Sequence, residues 1–317
     1  MFLATFVAAV LCGVIGSFVV VKRIVFMSGG IAHATFGGIG FAYFIQSIVL
    51  IGWFAPMIGA VIVGISVALI MAHPAVSRKL REDSVIGVLW AAGMAIGVIF
   101  IALSDPSVVY IKSYEAILFG NVLLVSTEMV IIMAAMALMI IAPVIYLYRD
   151  LQILTFDESH ARTSGINVTL MNAFLYSAVA VTCVLVMNVV GVIMVMALIT
   201  IPASIAILFS KGMKETIILA VIVSLVLSSA GLILSVHWDR IPPGAMVAIV
   251  LTLALVISLI VSRMRDKDTS REQGQHPGTG GADGTSVSWA SRRANGGAHG
   301  NSADAQSEKS DGSEGSI

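Results

Sequence analysis

Charge is scarce and unevenly spread along this 317-residue chain. It carries 18 basic and 18 acidic side chains, and fourteen of these lie in residues 264–317. The first 263 residues are therefore about 8% charged, against roughly 25% in soluble domains. Too few polar groups remain to cover a water-soluble globule. The two cysteines, Cys12 and Cys183, both sit in apolar runs, which excludes a disulfide-built secreted domain and any paired-cysteine metal motif. A formal net charge of zero offers nucleic acid no basic surface, so no such partner is expected. The patterns G-x-x-x-x-G-K-S/T, H-E-x-x-H and G-x-S-x-G are all missing. The usual phosphate-loop, zinc-protease and serine-hydrolase chemistries are therefore not expected. No catalytic residue and no resident cofactor is predicted.

What the chain has in plenty is hydrocarbon. A helix needs about 20 mostly apolar residues to cross a bilayer. Such stretches occur at roughly 2–21, 33–51, 54–72, 85–104, 128–147, 172–189, 192–209, 216–236 and 244–262. The sixth and seventh share one long apolar run broken only near Asn188 and Gly191, so the expectation is nine spans, with eight as the alternative. Residues 1–21 read as a retained first span rather than a signal peptide, because the first positive charge, Lys22, follows the apolar stretch. The expected fold is an all-α polytopic membrane protein: a transmembrane domain over 1–263 and a disordered cytoplasmic tail over 264–317. That tail is rich in Gly, Ser, Asp and Asn and has little apolar surface to offset chain entropy. Orientation follows from Lys and Arg in the short loops. With the N-terminus outside, twelve fall inside, among them Lys22, Arg149, Arg162, Lys211 and Lys214, and only Lys112 and Arg240 fall outside. A multi-pass plasma-membrane protein with a cytoplasmic C-terminus is predicted.

Within the spans the ionisable residues are His33 and Glu128, both near span ends. A stand-alone ion-coupled carrier usually keeps Asp, Glu or His on its pathway. An intramembrane enzyme needs a nucleophile and base, or a ligand set, that His33 alone does not supply. Energy from a separate partner fits the scarcity better.

Three segments stand out. Residues 28–40 include seven Gly or Ala around His33, a composition that lets helix backbones pack closely or line a passage. His33 there either bonds a backbone group or meets a ligand. In Phe156–Gly165, Thr155 or Asp157 can cap a short helix, Glu158 suits its first turn and Gly165 can end it. This is either an ordinary loop helix or a docking element for a cytoplasmic partner. In Gly191–Ala206, Pro202 is expected to break or kink the helix, with a short amphipathic surface segment beyond it. A Gly-x-x-x-Gly pair at Gly93 and Gly97 marks a further place for close helix approach.

In this order the segments resemble the zinc/manganese/iron permease family of ABC transporters. The resemblance rests on His33 in the early stretch, Leu118-Phe119-Gly120-Asn121 in the middle, and Phe156, Asp157, Ala161 and Gly165 in the loop. It continues with Val190, Gly191, Ala197, Leu198, Pro202, Ala203 and Ala206, and with a late turn from Asp239 through Pro243 and Gly244 to Ala245. It covers about residues 5–262. One departure is that Gly29 stands where the family has an Asp four residues before its His, leaving half of an Asp–His pair.

The resemblance implies a fold similar to the cobalamin and siderophore importer permeases. It implies a membrane permease subunit that moves a divalent zinc, manganese or iron ion inward. A second copy of the chain would complete the pathway, an ABC ATPase in two copies would hold the ATP, and an extracytoplasmic metal-binding protein would deliver the ion. His33 is the candidate metal contact. Pro202, Ala203, Ser204, Ala206 and Lys211 are the candidate ATPase-coupling residues, beside the loop residues Phe156, Asp157, Glu158, Ala161 and Gly165. Asp105, Glu115, His237, Asp239, Pro243 and Gly244 are the candidates for the outer face.

Overall fold

The computed structural model describes residues 2–49, 56–74, 82–105, 120, 126–237 and 242–274. Among them are eleven helices and no strand. These are α1 (Phe2–Val21), α2 (Val25–Val49), α3 (Pro56–Ala72), α4 (Glu82–Leu103), α5 (Thr127–Tyr146), α6 (Tyr148–Phe156), α7 (Glu158–Thr163), α8 (Val168–Val190), α9 (Val192–Phe209), α10 (Met213–His237) and α11 (Pro243–Gly274). All but α6 and α7 overlap the expected spans, although α2 starts at Val25 rather than at 33 and α11 runs on beyond 262. Seven are long and apolar enough to cross a bilayer, while α3 and α9 are shorter. The 17 residues of α3 reach about 26 Å, slightly less than the roughly 30 Å hydrocarbon core.

The long apolar run divides where expected. Gly191 takes φ +87°, a region glycine enters at no steric cost. Its N–H donates to the Met187 carbonyl at 2.9 Å, which closes α8, and α9 starts at the next residue. Gly120 also has positive φ, and a Cβ there would overlap the backbone at Val190 and Gly191. Two sequence-distant glycines thus meet at one helix break.

In lipid, helices gain little from hiding hydrocarbon and associate by close packing instead. Glycine supplies that here. A Cβ on Gly37 would stand 3.0 Å from the Gly93 carbonyl, and one on Gly40 would strike the Gly97 carbonyl. The Gly93–Gly97 pair therefore forms the seam its spacing suggested, with α2 and α4 running parallel. On the other side of α2, Gly38 meets Gly59 of antiparallel α3. At the centre lies α1, with Leu11, Cys12, Ile15 and Phe18 fully buried. Its Gly13 rests on Val221 of α10 and its Gly16 on Ile199 of α9.

The C-terminal end of α1 meets α6 and α7 and the N-terminus of α10. Lys22, Arg149, Arg162, Lys211 and Lys214 gather there, at what is called the basic end below. Phe18 packs edge-on against Tyr148 at 6.5 Å, and Lys214 lies 5.9 Å above the same ring. At the opposite end lie the C-termini of α2, α4 and α10. Residues Met1–Thr269 form one compact unit. Helix α11 continues past Met264 to Gly274. Arg, Met, Lys, Glu and Gln supply six of residues 264–273, Asp, Thr and Ser the other four, and with no Pro or Gly before Gly274 a helix already nucleated propagates. The rest of the predicted tail lies outside the described residues.

Candidate functional site

Two places concentrate the residues singled out by sequence. The first is the elbow between α6 and α7 at the basic end. Asp157 ends α6 and caps α7, its carboxylate accepting from the Ser159 N–H at 2.7 Å and the His160 N–H at 3.1 Å. Thr155, the other capping candidate, is buried and donates its hydroxyl to the Leu151 carbonyl at 2.6 Å. Gly165, at φ +80°, ends the turn in the left-handed conformation as its position suggested. Ala161 is fully buried and anchors the short helix, while Phe156 is 64% exposed. Arg149, Gln152, Ile153, Phe156, Asp157 and His160 line an open groove of about 480 Å³ beside it.

Glu158 ties this elbow to the bundle. Its Oε1 accepts from Lys22 Nζ at 2.7 Å and from Asn172 Nδ2 at 3.2 Å, joining α7 to the end of α1 and to α8. Partial burial pushes the Glu158 carboxyl up. The hydrogen bond and charge of Lys22, with help from Asn172 and Arg162, outweigh that and hold it below the usual carboxylate range. In the sequence Lys22 marks only the end of the first span and the side on which it lies. A basic residue at a span end carries no signal for a partner 136 residues away.

The segment after Pro202 differs from its expectation. Helix α9 runs unbroken through Pro202 to Phe209. Ala203 and Ala206 are fully buried in a cluster with Ala220 of α10, and Pro202 is buried too. Their small size serves helix packing and gives a cytoplasmic partner nothing to touch. Ser204 is half-buried and donates to the Thr200 carbonyl at 2.8 Å. Lys211 is exposed in the following turn, its N–H donating to the Glu215 carboxylate at 2.9 Å. Of the five coupling candidates, Lys211 alone stands on the surface of the basic end.

The second place is around His33, in the first half of α2. Its ring stacks on Trp90 of α4, with centroids 4.1 Å apart and 14° between planes. Nδ1 is buried and has no hydrogen-bond partner among the described residues. No group of three or more His, Cys, Asp or Glu that could hold a metal gathers among the described residues. A methyl on Gly29, one turn earlier, would lie 2.5 Å from Met196 Sδ. Neither Trp90 nor Met196 was singled out by sequence, since an aromatic and a thioether in apolar spans look like ordinary filler.

At the opposite end, Asp105 and His237 are exposed just past α4 and at the last residue of α10, while Pro243 is half-buried and Gly244 buried in the first turn of α11. Glu115 and Asp239 lie outside the described residues, as do Leu118, Phe119 and Asn121.

Comparison with known proteins agrees with this architecture. The model of the ABC 3 transport family matches residues 1–262. An uncharacterized membrane protein of Synechocystis is 36% identical over 260 residues, covering 82% of this chain and 89% of its own. A protein of Chlamydia trachomatis named a probable metal transport system membrane protein is 34% identical over 267 residues, covering 84% and 89%. Among solved structures, PsaBC from Streptococcus pneumoniae in complex with a Fab superposes with a TM-score of 0.70 at 24% identity, covering 81% of this chain and 88% of that one. The match to PsaBC reports on the fold.

Proposed function

The chain belongs to the ABC 3 transport family, and from that membership we propose that it is the permease through which an importer carries a divalent transition-metal ion into the cell. The sequence similarity to a named metal transport protein supports the cargo class. Two copies of the chain form the pathway, and a separate ATPase subunit under each copy hydrolyses ATP. An extracytoplasmic metal-binding protein delivers the ion at the end carrying Asp105 and His237. The basic end faces the cytoplasm, as the positive-inside bias requires.

The observation that carries the docking assignment is the α6–α7 elbow. It presents an exposed Phe156 beside an open groove, yet Glu158 and buried Ala161 hold it to α1 and α8. An exposed aromatic on a firmly held short helix suits insertion into a partner's cleft. Closure of the ATPases then moves a helix pair rather than a loose loop, and the spans tilt with it. The test is Phe156→Asp. Co-purification of the ATPase drops by roughly tenfold or more, while the thermal midpoint of the permease stays unchanged. Undiminished co-purification removes the elbow as the docking seat.

A further inference from the structure

Helix α1 ends in a backbone lock. The Arg23 N–H donates to the Val20 carbonyl at 3.1 Å and the Ile24 N–H to the Val19 carbonyl at 3.0 Å, while Arg23 takes φ +63°. This is a Schellman turn, and arginine holds the left-handed position that glycine usually takes. Lys22, the cap residue between helix and turn, is thereby fixed in its backbone, with its cation at the negative end of the α1 dipole. Its side chain is only 7% exposed. Across from it, Glu158 is the first residue of α7, a helix held by the Asp157 cap and by buried Ala161. The 2.7 Å bond from Lys22 Nζ to Glu158 Oε1 therefore joins two helix ends that are each anchored by their own backbone.

The elbow reaches α1 through contacts of two kinds. Phe18 against Tyr148 of α6 is apolar and edge-on. Such a contact transmits a push, but under a pull it parts for the loss of dispersion alone. The Lys22–Glu158 bond is directional and charge-assisted, so it resists separation as well as compression. Helix α1 in turn lies close to the α9 backbone at Gly16 and to the α10 backbone at Gly13. A displacement at Lys22 is thus carried into the middle of the bundle. We propose that Lys22 is a positioning residue of the transport cycle: bonded to Glu158, it forms a tie that draws α1 along when the elbow moves away, so that both strokes of the elbow reach the spans. The proposal rests on the permease reading and on the elbow as the ATPase seat, and it deepens both.

The experiment uses the complete importer reconstituted in lipid vesicles and reads metal uptake per ATP hydrolysed, with zinc and manganese offered separately. Lys22→Met keeps an apolar stem and removes the cation. The ATPase still co-purifies with it, because Phe156 and its groove are untouched, but uptake per ATP falls by roughly tenfold, an ordinary size for coupling between sites. A merely structural role would lower the amount of intact complex and leave that ratio alone. Glu158→Gln lowers the ratio similarly, and the double variant lowers it no further, since both changes break one bond. Lys22→Arg keeps the charge and the donor and restores the ratio. An unchanged ratio in Lys22→Met, or fully additive losses in the double variant, overturns the tie and leaves the permease and its docking seat standing. Undiminished co-purification with Phe156→Asp removes the seat and the tie with it. Absence of ATPase-dependent uptake of either ion by the wild type overturns the permease reading itself, and the tie with it.

Discussion

Helices α2 and α4 lie against each other, and they divide the work of a membrane protein in opposite ways. The best window of α2 has a mean hydropathy of only 1.2, yet 83% of it is buried. That of α4 has 2.5, yet only 17% is buried. In water the ordering would be reversed. Lipid tails are as apolar as leucine, so hydrocarbon side chains gain nothing by turning inward, and close backbone contact decides which helix goes inside. Glycine-rich α2 is buried because it can be approached from several sides. Hydropathy alone marks a span, and small residues mark its place in the bundle.

The sharpest way to break this contrast is to place the same side chain on both helices. Gly40→Leu drives a side chain into the Gly97 backbone and costs beyond about 3 kcal/mol. The expected result is little or no monodisperse protein in detergent. Gly87→Leu on α4 meets nothing within 4 Å and stays within about 0.5 kcal/mol of the parent. A smaller effect tests what α4 faces. Ile96 is 47% exposed, and Ile96→Lys costs about 2.5–3.5 kcal/mol of membrane insertion if its surroundings are lipid. Glycosylation mapping reads that cost, and a value near zero shows that this side meets water. The smallest expected effect lies away from both helices. Glu158→Gln removes a half-exposed ion pair and lowers stability by about 1 kcal/mol or less. Because the Glu158 carboxyl is held below its ordinary range, its contribution is present above the unfolded-state pKa near 4.3. It is lost as pH falls through the lower folded-state value. The difference in thermal midpoint between wild type and Glu158→Gln shrinks on acidification in that window.

Much of the fold was legible because spans are written in long apolar runs, and the break at Gly191 was legible because one glycine interrupts two such runs. Asp157 and Gly165 were equally readable, since caps and left-handed turns are set by local chemistry. What sequence could not give was facing. Ala203 and Ala206 suit a partner surface as well as a helix seam, and burial against Ala220 decides between them. The extension of α11 was hidden because charged residues are good helix formers as well as tail material. Met196 at Gly29 and Lys22 at Glu158 are contacts across more than a hundred residues, and no local pattern encodes them.

The break at Gly191 makes α9 a lever. Gly120 seats the fulcrum, and the two arms are fixed by the helical rise. Met196 lies five residues from the fulcrum, about 8 Å away, and Ser210 lies nineteen residues away, about 28 Å. A rigid swing of α9 about that point moves Met196 only about a quarter as far as it moves the basic end. Such gearing would leave Met196, packed on Gly29 of α2, nearly still while the far end of α9 moves.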